Sequence, residues 1–238
     1  MNPILDHNRL SGYRIDRSLS DAGTLFQSDT LFSQKIAVRN CSATSVCRVS
    51  AIEQKFSSHA GTHADCPKHF LTSGEHMSYE DRRYQGDAVI VDVGHLLGTE
   101  LQITPAALMK ALAIACCDPK ELINFRILLH TNTNSYYPKT PCDNFPYLSR
   151  EAAQLIAEKR CPMIAIDTPS IDYPQEKCLS EAAHGILHTS QTAIVENIDL
   201  SQQKPGKGTV ITFFDAARNF EDARGIACML FIPAENHE

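Results

Sequence analysis

From residue 46 to residue 232, short apolar and β-branched runs alternate with stretches of helical character, which restricts the chain to a sheet covered by helices. The segment 46–56 alternates loosely. The runs 88–93, 126–130, 163–167 and 193–195 are compact strand candidates, and 209–214 and 225–232 supply two more. Between them, Thr104 and Pro105 make an N-cap and first-turn pair that opens a helix over 104–116. Ser149 caps a second helix to about residue 160, with Glu151 near its positive end, and 180–189 is a third. Interleaved strands and helices predict an α/β or α+β domain. No repeat, low-complexity tract or linker interrupts the 238 residues, so residues 1–238 are expected to form a single domain.

Composition removes several classes of function. Hydrophobic residues at 43% and charged residues at 21% are those of a globular protein, not of a disordered or fibrous one. A net charge of −6 without a basic block gives no electrostatic reason to bind nucleic acid or an anionic membrane, so neither is expected as a partner. Residues 1–13 lack a basic region followed by an apolar one, and the longest apolar runs are too short to cross a bilayer. Nine scattered cysteines, an odd number with no CxxC pair, read as reduced thiols in a cytoplasmic protein.

The chemistry concentrates at residues 59–69, His-Ala-Gly-Thr-His-Ala-Asp-Cys-Pro-Lys-His, which hold three of the ten histidines. Imidazole and carboxylate together are ligands for a divalent metal, zinc first, with manganese suited where carboxylates are plentiful. His59 and His63 are four apart, as one helical turn would align them, and His63 and Asp65 are two apart, as an extended segment would. Gly61 permits an unusual backbone conformation between the imidazoles, and Pro67 stiffens the exit. His69 is close enough to act on a metal's solvent ligand without being a ligand. Cys66 should point away from His63 and Asp65 and be structural.

These residues resemble the HxGTHxDxPxH signature of the cyclase family of metal-dependent hydrolases, which includes bacterial kynurenine formamidases and isatin hydrolase. Four further segments are similar to that family: 84–92; Ile164-Ala-Ile-Asp-Thr-Pro-Ser-Ile-Asp172; His184-Gly-Ile-Leu leading to Ile194-Val-Glu196-Asn197; and 222–227. The resemblance implies an α/β domain of the swivelling β/β/α fold, assembled as a homodimer or homotetramer. It implies one or two divalent ions held by His59, His63, Asp65, His184 and Glu196, with Asp65 bridging where two are bound. It makes His69 the catalytic acid/base. The activity it implies is hydrolysis of an amide by hydroxide generated on the metal, most directly an arylformamidase cleaving N-formylkynurenine to kynurenine and formate in tryptophan breakdown. The sibling activities are opening of a cyclic amide or lactone, as by isatin hydrolase, and a non-catalytic metal-binding role. Activity of such a site falls on acidification, because histidine must be neutral to bind metal.

The chain departs from the family in having no tryptophan, whereas kynurenine formamidases place a substrate-stacking one in an early loop; Phe26 occupies the corresponding stretch. Asp21 likewise stands where the family often has histidine. Of the residues outside the ligand set, His188, one helical turn beyond His184, is expected to be structural. Asp167 and Asp172 are read as a turn held by local side-chain bonds, Gly206-Lys-Gly208 as a turn, and Tyr136, Tyr137 and Pro138 as loop. Arg224 suits either a substrate carboxylate or a subunit contact.

Overall fold

The structure, a computed structural model, describes residues 10–17, 30, 32–40, 49–77, 81–132, 144–173, 182–214 and 222–233. Within them the chain begins with β1 (Leu10–Arg14), β2 (Ser33–Asn40), β3 (Val49–Lys55) and β4 (His63–Asp65), followed by a four-residue helix α1 (Pro67–Phe70). It continues through β5 (Gln85–Asp92), β6 (Gln102–Ile103), α2 (Pro105–Ile114), β7 (Arg126–His130) and β8 (Tyr147–Leu148). The last part comprises α3 (Arg150–Glu158), β9 (Met163–Ile166), α4 (Ala183–Thr189), β10 (Ala193–Glu196), β11 (Gly206–Phe214) and β12 (Ala223–Pro233).

Seven of these strands follow one another in the order β12-β11-β5-β7-β9-β10-β4, and β4 pairs back onto β12, so the sheet closes into a barrel. β1 extends it along the remaining length of β12, with Leu10 opposite Pro233. The run β5-β7-β9-β10 is parallel, and its strands are apolar on both faces, as strands buried on both sides require. Alternate residues separate two cores. Val89, Val91, Ile127, Leu129, Ile164, Ile166 and Ile194 pack against the helices, around Leu108, Leu112, Ile156 and Leu187. Ala88, Ile90, Leu128, Met163, Ala165 and Val195 face the other way, toward Val210, Cys228 and Leu230.

Helix starts follow their capping residues. Thr104 Oγ1 accepts from the Ala107 amide at 3.2 Å, and Ser149 Oγ accepts from the Ala152 amide at 3.1 Å, each satisfying an N–H that the first turn leaves open. The third expected helix begins at Ala183 instead of residue 180, and Ala182 in the cap position offers no side-chain acceptor. β2 and β3 form a separate antiparallel pair that joins no other strand among the described residues.

Two local expectations are corrected. His59 and His63 do not share a helical turn: 57–62 is irregular, with a turn closed by the Ala60 amide on the Ser57 carbonyl and Gly61 at φ 66°. Gly206-Lys-Gly208 is not a turn but the start of β11, opposite Ile90, Val89 and Ala88 of β5. Glycine is needed there for closeness: a Cβ on Gly208 would lie 2.6 Å from the Phe231 carbonyl oxygen of β12. Gly208→Ala should therefore lower stability by about 1–3 kcal/mol, the usual cost of overpacking, read as a lower urea midpoint at unchanged slope.

Candidate metal centre

Strand register assembles the site. β4 lies between β10 and β12, with His63 opposite Glu196 on one side and Gly225 on the other, and Asp65 opposite Ala223. His63 and Asp65, two apart on an extended strand, share a face, and both are fully buried. Glu196 is the last residue of β10, His184 lies in the first turn of α4, and His59 sits in the bend that Gly61 turns toward β4.

The side chains converge as two groups that share both carboxylates. In the first, His59 Nδ1 lies 3.3 Å and His63 Nε2 3.5 Å from Asp65 Oδ1, and His63 Nε2 lies 3.2 Å from Glu196 Oε2. In the second, His184 Nε2 lies 3.0 Å from Asp65 Oδ2 and 3.3 Å from Glu196 Oε1. Glu196 Oε1 also accepts the Ile171 amide at 2.7 Å. The sequence reading named all five of these residues, and the fold brings all five together.

The opposite nitrogen of each imidazole has its own acceptor. His63 Nδ1 is 3.0 Å from the Gly61 carbonyl, His184 Nδ1 is 2.7 Å from Asp172 Oδ2, and His59 Nε2 is 3.2 Å from Asp222 Oδ1. A neutral ring that donates its N–H to the outer acceptor turns a lone pair inward. The inward nitrogens then face carboxylate oxygens, acceptor against acceptor, with His59 Nδ1 and His63 Nε2 only 3.1 Å apart. Asp65 Oδ1 is buried without a hydrogen-bond donor. A cation between these atoms removes the conflict, so the donor set fits a divalent metal.

The electrostatics express the same demand for positive charge. Burial opposes protonation of His63, but the Asp65 and Glu196 carboxylates outweigh it and push its pKa up to about 10. His184, against Asp172, Asp65 and Glu196, is held well above the usual histidine range, and His59 is also raised. Asp65 is pulled well below the usual carboxylate range and Glu196 is lowered, because the facing imidazoles, when they carry protons, outweigh burial.

His69 stands at the rim, on α1. Its Nδ1 lies 2.6 Å from Asp222 Oδ1, and its ring centroid is 4.5 Å from that of His59 and 6.3 Å from that of His184. Phe70 stacks on His184 at 5.1 Å. Cys66 lies apart from the cluster, its thiol donating to the Glu75 carbonyl. Phe26, Asp21, Tyr136, Tyr137 and Pro138 lie outside the described residues.

Asp167 and Asp172 do not form the expected locally bonded turn. Asp167 is buried and accepts from the Thr131 amide and hydroxyl at the end of β7, and burial lifts its pKa to about 7. Asp172 is the outer partner of His184, and Asp222 that of His59 and His69. Sequence spacing carried no sign of either pairing, because 12 residues separate the first pair and 163 and 153 the other two. Arg224 is buried with its guanidinium 5.7 Å from the Phe214 ring.

His188 is buried one helical turn beyond His184, and neither ring nitrogen has a hydrogen-bond partner. Burial, and then the charge of His184, lower its pKa to about 4. Above pH 6.5 it is neutral whether the chain is folded or not. Between pH 6.5 and 4 the unfolded chain takes up a proton that the fold refuses, so stability falls with pH, by up to about 3 kcal/mol at ~1.4 kcal/mol per unit. Denaturant titrations at pH 7 and pH 4 should therefore show a smaller loss for His188→Leu than for the parent. An equal loss would mean that His188 contributes nothing to acid lability.

Residues 18–173, more than half of the chain, match the Cyclase family. Curated relatives include the kynurenine formamidase of Bacillus cytotoxicus, 29% identical over 199 residues that span 81% of this chain and 84% of the relative. That of Bacillus mycoides is 28% identical over 201 residues, with the same coverage. Similar solved structures include isatin hydrolase A from Labrenzia aggregata, with a TM-score of 0.73 at 17% identity over 96% of both chains. A predicted metal-dependent hydrolase from Bacillus stearothermophilus gives 0.69 at 18%, covering 93% of this chain and 98% of that one. At these identities the structural likeness is one of fold, and with the sequence match it places this chain in the Cyclase family of hydrolases.

Proposed function

We propose that the protein is a metal-dependent amide hydrolase, an arylformamidase that cleaves N-formylkynurenine to kynurenine and formate. The observation that carries the reading is the pair of donor groups sharing Asp65 and Glu196, with His69 beside them. The relatives named kynurenine formamidase support that choice of substrate. His59, His63, Asp65 and Glu196 would hold one ion, and His184 with the second oxygens of Asp65 and Glu196 would complete a site for another. Zinc suits this histidine-rich set best, and the two carboxylates also suit manganese.

A divalent ion held there would supply Lewis acidity, to polarise a carbonyl and acidify water. The remaining work falls to the chain. His69, its Nδ1–H spent on Asp222, has Nε2 free to take a proton from the attacking water and return it to the leaving nitrogen. The new C–O bond forms at the formyl carbon, and the C–N bond to the aryl amine breaks. Asp172 and Phe70 hold the His184 ring in place from two sides. Phe26 is the candidate for stacking on the aromatic ring. We place the activity in the cytoplasm, in a homodimer or homotetramer of single-domain subunits acting on a small molecule.

One observation favours a second reading, hydrolysis of a cyclic amide or lactone as in isatin hydrolase: the chain contains no tryptophan. Both readings meet in one assay, formylkynurenine hydrolysis by protein reconstituted with zinc or manganese beside a chelator-treated control. Metal-dependent turnover is expected, and His69→Ala should reduce it by about 10²-fold or more with metal content unchanged. Folded, metal-loaded protein without turnover would overturn the formamidase reading and direct the assay to isatin-like cyclic amides. Loss of metal from His69→Ala would instead make His69 a ligand.

A further inference from the structure

We propose that Asp222 is the positioning residue of this centre, one carboxylate oxygen holding the imidazoles of His69 and His59 together so that the proton-transfer group is registered to the metal ligands. The inference rests on the reading of His69 as the acid/base and extends it to a residue from the opposite end of the chain.

The backbone places Asp222 beside the site. It immediately precedes β12, whose Ala223 lies opposite Asp65, and its carbonyl accepts the Cys66 amide at 2.8 Å. Its side chain is 54% exposed and is held by hydrogen bonds. Oδ1 lies 2.6 Å from His69 Nδ1 and 3.2 Å from His59 Nε2, and Oδ2 accepts the Ser58 hydroxyl. An ionised carboxylate only accepts, so both imidazoles must present N–H to it. That fixes His69 as the Nδ1–H tautomer with its Nε2 lone pair open, and His59 as the Nε2–H tautomer with Nδ1 turned to Asp65.

His69 needs such an anchor. α1 is four residues long, buries none of them and has no side-chain cap. The His69 side chain is about a third exposed, so packing covers only part of it. Rotamer freedom in a proton-transfer group costs rate, because the reacting geometry must then be found anew in each encounter. The bond to Asp222 removes that freedom, and the same oxygen fixes the His59 ring in the way outer carboxylates orient metal-bound histidines.

The His59, His69 and Asp222 donor atoms also lie within 4.8 Å of one another, which invites a third cation. Such an ion would strip the Nε2 proton from His59 while its Nδ1 already faces the other group, leaving an imidazolate. The hydrogen-bonded arrangement needs no such step.

Zinc-loaded full-length protein labelled with 15N-histidine reports the tautomers by long-range 1H–15N correlation at pH 8. The parent is expected to show His69 as Nδ1–H, and Asp222→Ala to lose that preference. Asp222→Ala should also bind zinc 10–100-fold more weakly in competition with a chelator, at unchanged stoichiometry. Formylkynurenine kcat should fall about 10²-fold with KM within about twofold. Asp222→Asn, isosteric and still an acceptor, and Ser58→Ala, which only frees Oδ2, should show the same changes to a smaller degree, and both preserve folding. Loss of one zinc equivalent in Asp222→Ala would make Asp222 a ligand and overturn the proposal. An unchanged His69 tautomer with unchanged zinc affinity would overturn it as well. If the parent cleaves no formylkynurenine, the substrate reading fails, and the tautomer and zinc measurements still decide the role of Asp222.

Discussion

The pairing of three residues, His63, Ala64 and Asp65, with two strands at once is what the barrel and the site both depend on. β4 hydrogen-bonds to β10 through Val195 and Glu196 and to β12 through Ala223, Arg224 and Gly225. Without it the sheet has two open edges. With it, two carboxylates, Asp65 and Glu196, are brought side by side out of solvent. Buried like charges are costly unless they are matched, and three imidazoles match them here only by carrying protons or by sharing a cation. A cation held by this cluster would couple closure of the barrel to occupancy of the site, as metal sites do when their ligands come from distant parts of a chain.

The outer hydrogen bonds decide how the inner atoms are used. A neutral histidine has one donor and one acceptor, so an acceptor placed behind the ring commits the lone pair to the front. Gly61, Asp172 and Asp222 provide those acceptors from three different segments. Because Asp65 and Glu196 each divide their oxygens between the histidine groups, neither carboxylate belongs to one group alone. Substitution of either affects both groups, whereas a change at His184 touches only one.

How much of this is legible in the sequence follows from the range of the interactions. Thr104 and Ser149 act on amides three residues away, and both helix starts were readable. The strands of the parallel run carry their own signal, since burial on both faces demands unbroken apolar stretches. The set His59, His63 and Asp65 is compact enough to be seen as one motif, although its helical turn proved to be a glycine bend. Gly208 was misread because glycine marks both turns and close approaches, and only the position of Phe231 distinguishes them. The roles of Asp172 and Asp222 were invisible for a stronger reason: each pairs with a histidine that only the tertiary fold brings near it.

Position in the sheet, and not residue type, assigns roles among the polar residues that end the parallel strands. Asp92, His130, Asp167 and Glu196 stand at or just beyond the C-terminal ends of β5, β7, β9 and β10. Asp92 accepts from the Gly94 amide and the Asn132 side chain, which ties two loops together. Asp167 is bound to Thr131, and burial lifts its pKa to about 7. His130 is buried with Nδ1 unbonded. Glu196 alone lies next to β4, and only that adjacency gives it three imidazoles and a second carboxylate within reach. An acidic residue moved from one strand end to the next in this sheet would therefore change from a partner of buried imidazoles to a loop fastener with no change in its own chemistry.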